Sequence, residues 1–170
     1  DRVGIRTDRP LQRENMPGLQ VFCEAQYNNN MLTKITPLAD GIVRRVFVDV
    51  GDRIPSGEIL IELHSTEVAA AKSSYLSALV AFDIKKKTRE REKKLVEESI
   101  SAQKDYLEAE ANFRLARLEV NNTRQKLLNF GLSPDAITDI EQTEDTSAIL
   151  NIRAPFQGTL INRTAVTGQA

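Results

Sequence analysis

The sequence predicts an α+β protein: a small β-sandwich made of two halves, with a long antiparallel α-helical coiled-coil hairpin inserted between them. Three observations carry this reading. First, one half-motif occurs twice. Pro37 to Asp52 holds Gly41 and Gly51, ten residues apart, with alternating strand-type residues between them; Pro155 to Gln169 repeats the pattern with Gly158 and Gly168. Internal repetition implies two copies of one structural unit, and halves separated by more than a hundred residues must close on each other in space. Second, neither Gly nor Pro occurs from Glu58 to Phe130. Third, inside that stretch small and aromatic residues recur in alternating steps of four and three, the seam of a coiled coil.

Taken in order, residues 1–36 are a polar lead-in broken by Pro10 and Pro17-Gly18, with strands at 19–27 and 32–35. Asn28-Asn29-Asn30 between those strands is a turn signal, because Asn tolerates left-handed backbone angles. Residues 37–64 form the first β half. Ile42-Val43, Val46-Phe47-Val48 and Ile59 to Leu63 read as short strands, separated by turns at Val50-Gly51-Asp52 and Pro55-Ser56-Gly57.

At Ser65-Thr66-Glu67 the period changes from two to 3.6. A hydroxyl side chain before an acid is a helix N-cap signal. Residues 65–131 are the hairpin, with the reversal at Glu98-Ser99-Ile100-Ser101, giving two helices of ~30 residues and ~45–50 Å each. The second helix carries the seam Ala102, Tyr106, Ala109, Phe113, Ala116, Val120, Thr123, Leu127 and Phe130. The first answers with Val68, Ala71, Tyr75, Ala78 and Phe82, then with charged Lys85, Arg89 and Glu92. The pair is therefore expected to be tight near the base and wetter toward the tip.

Gly131 suits a helix C-terminus. Residues 132–148 start a short helix at Ser133-Pro134-Asp135, with Ser capping and Pro in the first turn, ending near Gln142. Residues 149–170 are the second β half. Val46, Val48, Ile59, Ile61, Ile152 and Leu160 are expected to share one small core.

Composition narrows the function. The chain has 170 residues, 23 basic against 24 acidic, so a nucleic acid is not the expected partner. Only 5% of residues are aromatic while 28% are charged, which suits an elongated helical element better than a thick core. No apolar run approaches the ~20 residues that span a bilayer. Cys23 stands alone and reads as a buried strand residue. His64 is the only histidine; with Glu62 and Glu67 a metal site is imaginable, but Glu62 and His64 share a strand face while Glu67 falls in the next element, and zinc needs at least three converging ligands. Met16 and Met31 are too few for a thioether cluster. No nucleophile, base and orienter group together. The expectation is thus no enzyme, no cofactor and no metal site. Gly41, Gly51, Gly158 and Gly168 are expected where the backbone turns with positive φ or approaches another strand closely.

These residues together resemble the periplasmic adaptor family, the membrane fusion proteins of tripartite efflux systems. The resemblance rests on the split halves, the inserted hairpin, Glu62-Leu-His-Ser-Thr-Glu-Val before it and Arg153-Ala-Pro-Phe-Gln-Gly-Thr after it. Lys126-Leu-Leu-Asn-Phe-Gly-Leu-Ser-Pro and the lead-in Gly4-Ile-Arg-Thr are similar to the heavy-metal resistance-nodulation-division branch. The resemblance implies that the halves form a lipoyl-like unit (a barrel-sandwich hybrid), that the second half, 149–170, is truncated before its closing strand, and that the strands within 1–36 are partial β-barrel strands. It implies a periplasmic adaptor associated with the inner membrane, bridging an inner-membrane transporter and an outer-membrane channel, exporting metal cations or drugs, and self-associating into a ring, a hexamer in the assembled pump. An adaptor for an ABC-type exporter is the alternative within the class. A lipoyl or biotinyl carrier is the alternative outside it, disfavoured because the helical insert replaces the tip where carriers hold their modified Lys.

The resemblance further implies a channel-docking tip. Family members show an Arg, a Leu four residues on and a Ser seven further. Here Arg91 and Leu95 fit, while Ser101 falls one position short. Arg91 can donate forked hydrogen bonds, Leu95 and Ile100 offer apolar contact, and Ser99 and Ser101 can cap exposed backbone; Arg91 and Leu95 are expected to face outward together. The plainer reading is a solvated turn. The charged run Lys85 to Lys94 is either a solvated face or a contact with a neighbouring hairpin.

Overall fold

The computed structural model describes Gly4 and residues 21–169. The chain divides into two units, Asp1–Lys34 and Ile35–Ala170. In the first, residues 21–27 carry no regular structure, and a 3-10 turn spans Asn29–Met31, with Asn28 Oδ1 accepting from the Asn30 N–H. The strands expected at 21–27 and 32–35 are therefore absent, and positions 19–20 lie outside the described residues. Cys23 is exposed rather than buried. Both differences have one cause: among the described residues no strand pairs with this segment, and Val21, Phe22 and Tyr27 are all exposed.

The second unit runs β1 (Ile42–Val46), β2 (Arg53–Ile54), β3 (Ile59–His64), α1 (Thr66–Glu97), α2 (Gln103–Asn129), α3 (Pro134–Thr143), β4 (Ile149–Arg153) and β5 (Gly158–Thr159). It is α+β, with a long helical hairpin and two small sheets. One sheet has the order β1-β3-β4, all antiparallel; the other pairs β2 with β5. Both sheets thus join residues from before and after the hairpin. Further ties cross the same gap: Gly51 N–H to Leu160 O at 2.8 Å, Leu160 N–H to Asp52 O at 3.0 Å, and Val43 exchanging bonds of 2.8 Å with Gln169 and Gly168. The sequence halves close on each other as expected.

Their core does not form the single set expected. Val48, Ile54, Leu60 and Ala154 make one buried cluster, with Ile61 and Leu160 packed against it. Ala39, Leu63, Val68 and Leu150 make another, with Val43 and Ile152 beside it. Val46 and Ile59 are half-buried and join neither. A register shift between Ile59 and Ile61 breaks the simple alternation of β3, so Leu60 and Leu63 are its buried residues.

Two glycines show why the motif repeats. Gly51 and Gly168 hold φ of 101° and 88°, matching left-handed turns at the ends of the two halves. Gly41 answers a different need: a Cβ there would collide with the carbonyl oxygen of His64. Gly158 has neither constraint, since its nearest neighbour to a Cβ is Phe156 at an ordinary 3.9 Å. The β2–β5 pairing around it is only two residues long and leaves that side open.

The hairpin grows directly from β3. Ser65, fully buried, caps α1 by accepting from the Val68 N–H, while its own N–H donates to Ala148 O at 2.8 Å. Near the base the seam is dry: Val68, Ala71, Tyr75, Ala78, Thr123 and Leu127 are buried, and further up Ala109 is buried as well. At mid-height Phe82 and Phe113 meet with ring centroids 5.3 Å apart, and the Arg89 guanidinium lies 4.7 Å over Phe113. Arg89 also pairs with Glu110 at 3.0 Å. Lys85 departs from the seam and is exposed, as its ammonium reaches water more cheaply than it enters the interface. Ala102 is likewise exposed and serves as the N-cap of α2. Phe113→Asp is expected to lower hairpin stability by about 2 kcal/mol, less than a fully buried aromatic loses, because the new carboxylate finds Arg89. A thermal melt followed by helical circular dichroism reads it, and an unchanged midpoint would remove Phe113 from the seam.

Past α2, Gly131 turns the chain at φ 85°. Ser133 then caps α3, and Pro134 opens it. Its apolar face, Ile137 and Ile140, is buried, with Ile137 packed on Ala71, Tyr75 and Leu127.

Candidate functional site

The hairpin tip is built by backbone rather than side chains. The Leu95 carbonyl accepts from both the Ile100 N–H at 2.8 Å and the Ser101 N–H at 3.2 Å, and the Ser99 N–H donates to Val96 O at 2.9 Å. Closing the loop this tightly puts Ser99 at φ 60°, one of two described non-glycine residues in the left-handed region. Small polar residues adopt that region more readily than β-branched ones, so serine suits the reversal. The fold thereby projects Ile100 outward, 69% exposed.

Below the loop, Glu92 organises the side chains. It is largely shielded, and its carboxylate accepts from Arg91 at 3.0 and 3.2 Å on one oxygen and from Ser101 Oγ at 3.3 Å on the other. Ser101 Oγ also lies 3.2 Å from Asp105. Arg91 itself is exposed, so its forked donors rest on a neighbouring carboxylate by a bond worth at most about 1 kcal/mol. A partner carboxylate or carbonyl can replace it. Leu95 is half-buried, so it does not share the outward face with Arg91 as expected. The five expected tip residues do gather at one end, in three different settings: Arg91, Ser99 and Ile100 presented, Leu95 half-packed, Ser101 held inward. Sequence reasoning put Glu92 on the seam and missed its hub role; its spacing of nine from Ser101 is visible only once the loop is closed.

The opposite end of the hairpin holds a second polar group that the sequence did not announce. Lys72 is 3% exposed, and its Nζ donates to Asp145 Oδ2 at 2.7 Å, Ile149 O at 3.2 Å and Ser147 Oγ at 3.4 Å. Burial works against ionisation of Asp145, yet the bonds from Lys72 and Ser147 prevail and hold its carboxyl below the ordinary value. One helical turn further, the Tyr75 hydroxyl donates to Glu141. Burial first, then that carboxylate, push Tyr75 up to about 12. Both groups line or adjoin an open cleft of about 530 Å³ between α3 and β4, walled by Leu38, Leu132, Ile140 and Ile152.

Among the described residues no group of three His, Cys, Asp or Glu side chains could hold a metal, and His64 is exposed at the end of β3. No helix among them is long and apolar enough to cross a membrane.

Residues 70–129 match the family described as CzcB-like, alpha-helical hairpin domain. The chain is 31% identical over 169 residues to the cobalt-zinc-cadmium resistance protein CzcB of Cupriavidus metallidurans. It is equally similar to the cation efflux system protein CzcB of an Alcaligenes species. Each match covers 99% of this chain but 31% of the relative, so the chain spans about a third of their length. Among solved structures, ZneB of Cupriavidus metallidurans superposes with a TM-score of 0.58 at 22% identity, over 81% of this chain and 54% of that one. A MacA-MexA chimera carrying the Pseudomonas aeruginosa MexA α-hairpin superposes at 0.50 and 20% identity, over 77% of this chain and 38% of that one. At those identities the superpositions speak for the fold.

Proposed function

We infer that this chain, which belongs with the heavy-metal resistance-nodulation-division branch of the membrane fusion proteins, is the base-and-hairpin part of a periplasmic adaptor in a cation-efflux pump. The observation that carries the reading is the hairpin itself: two helices of 32 and 27 residues rise from hydrogen-bonded halves and end in an exposed apolar residue. A rod of ~45 Å standing on a small base is a spacer. In this reading the base is lipoyl-like, and the five segments bounded at residues 36, 64, 131 and 148 are its working parts. The adaptor sits in the periplasm at the inner membrane and bridges a transporter to an outer-membrane channel without performing catalysis.

The tip is the channel-docking element, through Ile100, Ser99 and the exchangeable donors of Arg91. The hairpin's outer faces support a ring of adaptors. Val80 and Ile84 are exposed on α1, and Leu107, Leu115 and Leu118 on α2. The Phe82–Phe113 contact puts these patches at similar heights. The α1 run Lys85 to Lys94 is mainly basic, while Asp105 and Glu108 lie at its height on α2. Such a heterologous contact closes into a ring when the rotation allows.

The test is Arg91→Glu and, separately, Ile100→Asp in the full-length protein, scored by growth in cobalt, zinc or cadmium with expression and helicity monitored. Loss of resistance in both at normal helicity is expected, since reversal removes donors and strands a charge at the contact. Loss in Ile100→Asp alone moves the contact to the turn. Full resistance in both sinks tip docking.

A further inference from the structure

We propose that α3 and the connector after it form a brace that fixes the tilt of the hairpin on its base, with Tyr75–Glu141 and Lys72–Asp145 as its two latches. The hairpin meets the base sheet at its foot, where Val68 packs with Ala39, Leu63 and Leu150 and Phe130, the C-cap of α2, lies against the same cluster. Only Ser65 separates β3 from α1, and a single left-handed Gly131 follows α2. Apolar contacts gathered at the hairpin's foot beside two short joints are a fulcrum, and a fulcrum alone leaves the rod free to tilt.

Resistance to tilting needs a second contact away from the fulcrum. It is supplied by α3, whose Ile137 packs on Ala71, Tyr75 and Leu127 from both hairpin helices. The Tyr75 hydroxyl is bonded to Glu141 of α3. The connector adds the second latch: Glu144 adopts φ 53°, Asp145 takes the buried Lys72 ammonium, and Ser147 N–H closes onto Asp145 Oδ1 at 2.8 Å. Both latches tie a hairpin side chain to a segment more than sixty residues away in sequence.

The lever arm gives these latches their importance. From Val68 to Tyr75 is ~10 Å along the helix, and from Val68 to Glu97 is ~44 Å, so play at the latches is magnified about fourfold at the tip. Loosening the brace by an ångström therefore moves the tip by several. The hairpin seam above Ala78 is untouched by either latch, so its helices stay paired while the rod swings. The brace concerns the mechanics of the chain itself and stands whatever the tip contacts.

The experiment measures a distance distribution by pulsed electron spin resonance. Spin labels go on Glu90→Cys of α1 and Val50→Cys of the base loop, in a Cys23→Ser background. The unmodified latches give one narrow distribution. Tyr75→Phe combined with Asp145→Asn is expected to broaden it by about twofold or more, given the fourfold magnification at the tip, with helical circular dichroism retained. An unchanged width in that folded double variant overturns the brace. If the double variant fails to fold, Glu141→Ala alone, which removes the acceptor of the Tyr75 hydroxyl at an exposed position, makes the same comparison: broadening supports the brace and an unchanged width overturns it.

Discussion

Leu127→Ala is expected to cost about 3 kcal/mol, within the range for truncating a buried leucine. Leu127 is 0% exposed and packs with Ala71, Tyr75 and Ile137, so it touches α1 and α3 at once from α2. The cavity lies where three helices converge. Relaxation is limited there, because Ala71 is already small and Tyr75 is tied to Glu141. For a domain of this size the loss corresponds to a fall in melting midpoint of roughly 6–12 °C. Leu115→Ala, an equal truncation at an exposed position on the same helix, is the control and is expected to stay within about 0.5 kcal/mol. Equal midpoints for the two variants would mean that α3 does not close over the hairpin root.

That contrast was half-legible in the sequence. The four-three spacing assigned Leu127 to the inner seam and left Leu115 off it, because helical periodicity is local information. The partner of Leu127 on α3 was not legible, since nothing in Ser133-Pro134-Asp135 tells which surface the helix covers. The same divide holds elsewhere. Ser65, Ser133 and Gly131 announced the helix ends, because caps and left-handed turns depend on a few adjacent residues. The split halves were legible from repetition alone. The core phase of β3 was not, because one register shift re-aims every side chain beyond it. At the tip, the reversal at Ser99 was readable and the Glu92 hub was hidden. At the root, Lys72 sits in a run of small residues and reads as a solvated helix position until Asp145, 73 residues later, is brought to it.

Lys72 supplies the other large effect. Lys72→Ala is expected to destabilise the chain by about 2–3 kcal/mol. Removing one partner of a buried pair costs about 3–5 kcal/mol, and the figure is reduced here because the Asp145 side chain is 38% exposed and keeps some water. The loss is mainly an uncompensated carboxylate and carbonyl, so replacing both charges recovers much of it. Lys72→Met with Asp145→Asn keeps the methylene stem and leaves no bare charge. The double variant is expected to be more stable than Lys72→Met alone, a positive coupling in a double-mutant cycle. The pH dependence gives an independent check. The Asp145 carboxyl is held below its ordinary value of 3.8 in the fold, so its contribution is complete above pH 3.8 and is lost as pH falls through the lower folded value. The stability gap between the parent and Lys72→Met is therefore expected to be constant near neutrality and to close in acid below 3.8. Tyr75 runs the other way: raised from 10.0 to about 12, it contributes below pH 10 and is lost as pH rises toward 12, a sensitivity that Tyr75→Phe removes. A gap for Lys72→Met that persists undiminished in acid would show that the lysine stem, through its packing, stabilises the root and that the ion pair does not.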